Sequence, residues 1–496
     1  MKPEPLALYS ATQTRRLDQI AIEDYGIPGY TLMCRAGAFA FNTLISFFHQ
    51  TRSIVIVCGI GNNAGDGYVM ARLAKENGFP VRVLQLGDPA RQQGDALKAR
   101  MDMEAAGICV EAFSIAAIDD CSMIVDAIFG TGLEREIEGE WKDAIDAINN
   151  SGRPVLAVDI PSGLQAETGR KLGCAIKAQI SCSFIGLKQG MYTGWGPELC
   201  GDIHFDALGV PEQVYDRVES QVRRWDESLI ATINPRPLNS HKGENGHVLL
   251  VGGDHGMSGA IRMTGEACLR SGAGLVSLAT RESHAALIAQ SCPELMSHGS
   301  ETLDAYVSLR EKATVLAIGP GLGRSEWGQA LFCETLKSPL PKVIDADALN
   351  CLAMNPQRRD DWILSPHPGE AARLLQCTVQ DIENNRFQSC EEVHRRYGGI
   401  CVLKGSGTLI CDGKQTVICD RGNPGMATGG SGDVLTGIIA ALVAQFPQLS
   451  LFELAQLGVG VHALAGDRAA QAGQRGLLAT DIIRQIRGVI NHVQTG

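Results

Sequence analysis

The sequence predicts an α/β protein of two domains, the first built on a doubly wound, mainly parallel sheet and the second a further α/β unit. Three observations predict it. The chain has 496 residues, too many for one ordinary hydrophobic core. Apolar runs of strand length alternate with helical stretches, the pattern of parallel strands joined by crossover helices. The series strand, glycine-rich segment, helix also starts twice, first in SIVIVCGIGNNAGDGYVMARLAKENG and again in HVLLVGGDHGMSGAIRMTGEACLRSGAGLVSLAT.

Composition narrows the class. Apolar residues make up 45% and charged residues 20%, as in a compact soluble protein rather than a disordered one. A net charge of −11 argues against duplex nucleic acid or an anionic membrane as the main partner, because both need a basic footprint. The sixteen cysteines are scattered without a CxxC pair, and Cys58, Cys401 and Cys411 lie in apolar runs, so reduced buried thiols in a cytoplasmic protein are expected. The N-terminal stretch MKPEPLALYSATQTRRLDQ has no apolar core of a signal peptide, and the apolar run after Asp433 is broken by Gln445, Pro447 and Gln448. Neither a leader nor a membrane span is expected.

Taken in order, Thr14, Leu17, Ile20 and Ala21 recur at helical spacing within 10–23, and a second helix is expected over 31–49. A buried strand then leads into GNNAGDG, residues 61–67, read as a glycine-rich turn before a helix. Further strands are expected at 81–86, 123–128 and 155–158. Two of these end in polar segments, VDAIFGTGLEREIEG with Asp126 and VDIPSG with Asp159 and Ser162. Ligands of open α/β sheets bind beyond the carboxyl ends of strands, so Asn63, Asp126, Asp159 and Ser162 could converge there. All four offer oxygen, which suits a hard cation better than zinc. Asp and Ser also serve as helix caps and turn formers, and that reading stays open.

GNNAGDG, VDAIFGTG and VDIPSG together resemble the signature segments of the NAD(P)H-hydrate epimerase family, over roughly the first 210 residues. The resemblance implies a Rossmann-like domain, residues 1–220. It places Asn62, Asn63, Ala64, Gly65 and Asp66 around a hydrated nicotinamide nucleotide, with Gly130, Thr131, Gly132, Leu133, Glu134, Arg135, Glu136 and Asp159. Asp159 is the candidate acid/base. Asn63, Asp126 and Ser162 would hold potassium, and with a single formal charge among them they suit a monovalent ion. Trp141 offers either a stacking face for the substrate or an ordinary core side chain.

The alternation breaks down over 209–241, where INPRPLNSHKG reads as a connection, and the boundary is set near Ser220. Strands are expected at 315–318, 343–344, 400–403 and 408–411 in the second half. Its central stretch is NPGMATGGSGD, residues 423–433, which runs into VLTGIIAALVAQF. Glycines let backbone approach a ligand closely, and the following helix N-terminus favours a phosphate. A carboxylate at such a mouth repels phosphate, so Asp433 either takes a proton from an attacking hydroxyl or simply caps the helix.

With GPGLGR, VIDADALN, SPHPGE and LKGSGT, this stretch resembles the ADP/ATP-dependent NAD(P)H-hydrate dehydratase family, over residues 221–496. The resemblance implies a ribokinase-like fold. It implies substrate contacts from Ala260, Gly321 or Gly323, His367 and Asp433, and nucleotide contacts from Lys404, Gly405, Ser406, Gly407, Thr408 and Gly432, with Mg2+ carried on ADP or ATP. The expected activity is bifunctional repair of hydrated NADH and NADPH: one half interconverts the R and S epimers and the other dehydrates the S epimer. Self-association into a homo-oligomer is expected as well. The alternative is a vitamin-precursor or sugar kinase fused to a non-catalytic nucleotide-binding or interaction module.

Overall fold

The run IVIVC, Ile54–Cys58, is buried at every position and becomes the centre of a sheet, because only a strand covered on both faces can bury so unbroken an apolar run. The computed structural model describes residues 6–492 and divides into two units, Met1–Arg223 and Arg224–Gly496. In the first, a short strand β1 (Ala7–Leu8) precedes β2 (Ile54–Cys58), β3 (Val81–Gln85), β4 (Val110–Ala112), β5 (Met123–Ala127), β6 (Val155–Val158), β7 (Ile180–Phe184) and β8 (Asp202–Asp206). The main sheet has the order β4-β3-β2-β5-β6-β7-β8, parallel throughout. Its strand order reverses at β2, so a crevice opens at the carboxyl ends of β2 and β5.

Strand β9 (Val222–Arg224) lies at the junction of the units and pairs antiparallel with β1. The second unit contributes β10 (His247–Val251), β11 (Leu275–Thr280), β12 (Met296–Gly299), β13 (Val315–Ile318), β14 (Lys342–Ile344), β15 (Trp362–Leu364), β16 (Ile400–Leu403), β17 (Thr408–Cys411) and β18 (Thr416–Cys419). They run in the order β18-β17-β16-β15-β14-β13-β10-β11-β12. Pairing is parallel from β12 to β16 and antiparallel in the β16-β17-β18 meander. Here the reversal falls at β10.

Most expected elements stand close to their predicted bounds. The first helix is Ala11–Glu23, with Ser10 and Gln13 forming a reciprocal capping box, and the second is Gly29–Phe47. The reading of 61–67 as a turn is corrected: the helix Asn62–Glu76 begins within it, with Gly61 as its N-cap. These glycines serve packing rather than turning. A Cβ on Gly65 would stand 2.5 Å from Met33 Sδ, and one on Gly67 would stand 2.7 Å from Ala127 Cβ. All sixteen cysteines are free thiols, and among the described residues no helix is long and apolar enough to cross a membrane.

NPGMATGGSGD does feed a helix. Gly430 adopts φ 91° as N-cap, and the helix Ser431–Gln445 follows, buried along nearly its whole length. It lies so close to the helix Ser258–Arg270 that a Cβ on Gly437 would stand 2.2 Å from the Thr264 carbonyl oxygen. Contact this close holds the Ser431 end in place through packing. Gly437→Ala is therefore expected to destabilise the second unit by roughly 1–3 kcal/mol through overpacking, read as a lower denaturant midpoint. An unchanged midpoint would mean that the two helices can separate freely.

Candidate active sites

In the first unit the carboxyl ends of β2, β5, β6 and β7 border one cleft of about 730 Å³. Asn62, Asn63 and Asp66 reach it from the first turns of the helix after β2, and Gly130 to Arg135 from the loop after β5. Asp159 stands directly after β6 at φ 68°, a left-handed conformation that a non-glycine residue adopts at a cost. Its carboxylate forms an ion pair with Lys188 and accepts from the Thr131 N–H at 3.3 Å. Lys188 is only 1% exposed, and its ammonium also donates to Ser183 Oγ at 3.0 Å and to the Phe184 carbonyl at 3.1 Å. A buried ammonium needs such partners, because desolvation without them would drive it neutral.

Behind the cleft, Asp126 is fully buried at the end of β5. Burial pushes its carboxyl up to about 6 although Ser162 donates to it, from both Oγ (2.6 Å) and N–H (2.8 Å). Ser162 Oγ in turn accepts from the Phe129 N–H at 2.8 Å. In the cleft lining the buried Asn63 is 7% exposed, and neither its side-chain oxygen nor its side-chain nitrogen finds a partner. A Cβ on Gly130 would stand 3.2 Å from Asp159 Oδ2 and 3.5 Å from the Asn63 amide carbon. Glycine thus keeps open the space where Asn63 and Asp159 face the ligand.

In the second unit the corresponding strand ends deliver Gly321 and Gly323 after β13, Asp345 after β14, His367 after β15 and Lys404 after β16. Lys404 Nζ lies 2.6 Å from Asp345 Oδ1 and 3.8 Å from Glu370 Oε2. Asp345 is 1% exposed and its other oxygen accepts from Thr436 Oγ1 at 2.7 Å. Thr436 sits one turn beyond Asp433, so Asp345 ties the lysine to the helix that carries Asp433. Burial opposes the charge on Lys404, yet the Asp345, Glu370 and Asp433 carboxylates outweigh it and raise its pKa. Burial, then Asp345, pushes Asp433 up to about 7 against the pull of Lys404. A Cβ on Gly432 would stand 3.3 Å from Lys404 Nζ. The ammonium therefore lies at a helix N-terminus, where two positive features favour an anion.

Known proteins match this chain along nearly its full length. A family profile described as NAD(P)H-hydrate dehydratase matches residues 248–487, and one described as YjeF-related protein N-terminus matches residues 29–190. A bifunctional NAD(P)H-hydrate repair enzyme of Coxiella burnetii is 45% identical over 487 residues, spanning 98% of this chain and 99% of that one. The chain belongs to the bifunctional NAD(P)H-hydrate repair enzymes. An Escherichia coli member is 42% identical over 498 residues, 99% of this chain and 96% of that one. A crystal structure of a ribokinase-like superfamily protein from Enterococcus faecalis matches with a TM-score of 0.52 at 30% identity, covering 56% of this chain and 98% of that chain. The architecture is thus a Rossmann-like first domain followed by a ribokinase-like second domain.

Not every residue singled out by resemblance to the repair enzymes reaches the cleft. Ala64 and Gly65 are buried in the helix behind it, and Glu136 turns outward to pair with Arg170. Trp141 is absent from the lining; half-buried, it packs on Phe129 at 4.9 Å between centroids and against Gly87 at the edge of the core. In the second unit Ala260 faces Gly321, whose added Cβ would stand 3.2 Å from the Ala260 Cβ. His367 caps the helix Pro368–Leu375 through Nδ1, which accepts from the Gly369 N–H at 3.0 Å. Burial, then Lys404 and Arg373, lowers its pKa, so the ring stays neutral. Thr408 bonds the Gly405 carbonyl at 3.2 Å, which fixes the turn that also holds Ser406 and Gly407.

Three participants escaped the sequence reading. Lys188 lies in LKQGMYTG, which has no motif character, and only its burial against Asp159 reveals it. Asp345 is the first acid of VIDADALN, a segment the sequence does mark. Arg386 comes from a helix distant in sequence. Its buried guanidinium donates to the Lys404 carbonyl at 3.2 Å and packs on Gly405, supporting the Lys404 loop from behind.

Proposed function

We propose that residues 1–220 interconvert the R and S epimers of hydrated NADH and NADPH, and that residues 221–496 dehydrate the S epimer at the expense of ADP or ATP to restore NAD(P)H. The observation that carries this reading is the same in both halves: an aspartate borne by the family motif faces a lysine at the carboxyl ends of a parallel sheet, in a chain related over its whole length to enzymes of this name. The free thiols fit a cytoplasmic setting.

In the first cleft Asn62, Asn63, Asp66 and the loop 130–135 would hold the hydrated nicotinamide. Through its ion pair, Lys188 would hold Asp159 oriented for proton transfer at the ring hydroxyl. The donor set beneath the cleft fits potassium: the unpartnered Asn63 amide oxygen, the Asp126 carboxylate and Ser162 Oγ are oxygen groups with one formal charge. Bound there, the ion would supply local positive charge and fix the first turn of the Asn62 helix.

In the second site the substrate hydroxyl sits on the carbon next to the ring nitrogen, and hydroxide is a poor leaving group. Asp433, buried and poised near neutrality, would take the hydroxyl proton as the oxygen attacks the terminal phosphate of the nucleotide; Mg2+ carried on the nucleotide would supply charge screening there. Lys404 and the N–H groups around Gly432 stabilise the transferring phosphoryl group. Phosphate then leaves, and loss of a neighbouring proton restores the ring. Gly321, Gly323, Ala260 and His367 would position the substrate, and Gly405 to Thr408 the purine nucleotide. Hydrated NADH incubated with ADP or ATP should yield free phosphate and the absorbance of reduced nicotinamide; a product that keeps the phosphate would make the second unit an ordinary kinase.

Asp433→Asn should lower dehydration about 10²–10⁴-fold, the usual worth of a general base, and leave epimerisation intact. Because the base must be deprotonated, kcat/KM of the parent for dehydration should rise with pH through about 7. Asp345, Asp347, Glu370 and Lys404 are the charges that set this midpoint. A variant with near-normal turnover, or a parent profile flat across neutrality, would reduce Asp433 to a helix cap.

Epimer interconversion by the full chain should be faster in potassium than in sodium or choline salts of equal ionic strength. Asp126→Ala should abolish that preference and cost roughly a hundredfold in rate through misplaced geometry. Equal rates in the three salts would return Asn63, Asp126 and Ser162 to a purely structural role.

A further inference from the structure

The cleft of the first unit holds more acid than the proposed acid/base pair uses. Asp18, on the helix Ala11–Glu23, and Asp66, on the helix Asn62–Glu76, line it together with Asp159 and Lys188. The Lys188 ammonium is already committed to Asp159, Ser183 and the Phe184 carbonyl. Arg15 and Arg135 lie exposed at the rim, and Arg15 pairs with Glu134 there at 3.5 Å. Asp95 lines the cleft as well, so four aspartate carboxyls stand against one spoken-for cation inside the rim. Burial, with the neighbouring carboxylates, pushes Asp18 up to about 6 and Asp66 well above the usual carboxylate range. The unpartnered Asn63 amide, buried and lining the same cleft, marks this as the place where a ligand binds.

The substrate chemistry gives that excess acid a use. Hydroxyl and ring nitrogen share one carbon, and that carbon can be inverted in two ways. Breaking its bond to nitrogen opens the ring to an aldehyde, which turns and recloses; the oxygen stays on carbon and no cation forms. Breaking its bond to oxygen lets the nitrogen lone pair form a C=N⁺ bond, giving a flat cation that water can meet from either face. Only the second route develops positive charge, and a cleft with surplus carboxylates stabilises such charge selectively in the transition state.

We propose that the first unit inverts its substrate through this flat ring cation, with Asp18 supplying the counter-charge and the Asp66 carboxyl protonating the departing hydroxyl. The inference rests on the epimerase reading above and extends it to Asp18, a residue outside the family's signature segments. The C–O electron pair leaves with the oxygen, which takes the carboxyl proton and departs as water. On return, a water oxygen bonds the carbon from the opposite face, its proton passes to a carboxylate, and the C=N pair goes back to nitrogen. No oxidant, reductant or co-reactant other than water is needed. The departing water lies on the wrong face to return, so each inversion exchanges the hydroxyl oxygen with solvent.

The test uses the full chain without ADP or ATP, so that the second unit is idle. One epimer of hydrated NADH carrying an oxygen-18 hydroxyl is supplied, and both epimers are separated and weighed by mass spectrometry, with the enzyme-free exchange subtracted. The interconverted epimer should carry solvent oxygen, with one label lost per inversion. Asp18→Asn should lower kcat for inversion roughly 10–100-fold, as for loss of one transition-state charge partner, leave KM nearly unchanged and be partly rescued by Asp18→Glu. Inverted product that retains its label overturns the proposal, and so does Asp18→Asn with undiminished kcat. If the intact chain interconverts no epimers, the epimerase reading itself falls and this inference with it.

Discussion

Both sheets are covered on both faces, and that constraint governs where chemistry can occur. Strands such as Ile54–Cys58, Val315–Ile318 and Ile400–Leu403 are buried at every position, so a polar side chain within them must find its partner inside the protein. The ones that occur there obey the rule. Asp126 is held by Ser162, and Ser183 receives the Lys188 ammonium. Groups that must meet a ligand are confined to the strand ends, and in a parallel sheet the carboxyl ends all lie on one edge. Each site collects loops from that edge.

The two sites then answer one electrostatic problem in related ways. An acid that is to take a proton near neutrality must be partly desolvated, and a lysine that is to meet an anion must be kept charged while buried. In the first unit the buried Lys188 is paired directly with Asp159. In the second, Asp345 stands between them: it holds Lys404 through one oxygen and Thr436 through the other, and burial, together with its charge, pushes the Asp433 carboxyl up to about 7. The lysine is thereby held in its charged form, beside the acid one turn before Thr436.

The motif residues differ in how well their roles could be read from sequence. Asp433 was legible because an acid, a glycine-rich loop and an apolar run stand in register, and the helix begins where they meet. Asp159 and Ser162 were legible as polar residues closing an apolar strand. Trp141 was not, since a tryptophan near a binding segment reads alike whether it faces ligand or core, and here Phe129 and Gly87 claim it. The glycines of GNNAGDG misled in a different way. Glycine permits both a turn and a close contact, and the choice between them depends on Met33 and Ala127, which come from other elements.

The sequence by itself determined the class of fold, the two-unit plan and the motifs that carry phosphate and proton chemistry, because strand alternation, capping and helix-terminal anion sites are local effects of neighbouring residues. Tertiary structure alone decided which charges pair. Lys188 meets Asp159 across 29 positions and Lys404 meets Asp345 across 59, separations over which no periodicity or spacing rule acts. It also decided that the Asn63 amide stands unpartnered in the first cleft, and that Asp18, from a helix that precedes the sheet in the chain, joins the carboxyls there. Burial and electrostatic coupling depend on distances through space, and those exist only once the sheet has brought its carboxyl ends together.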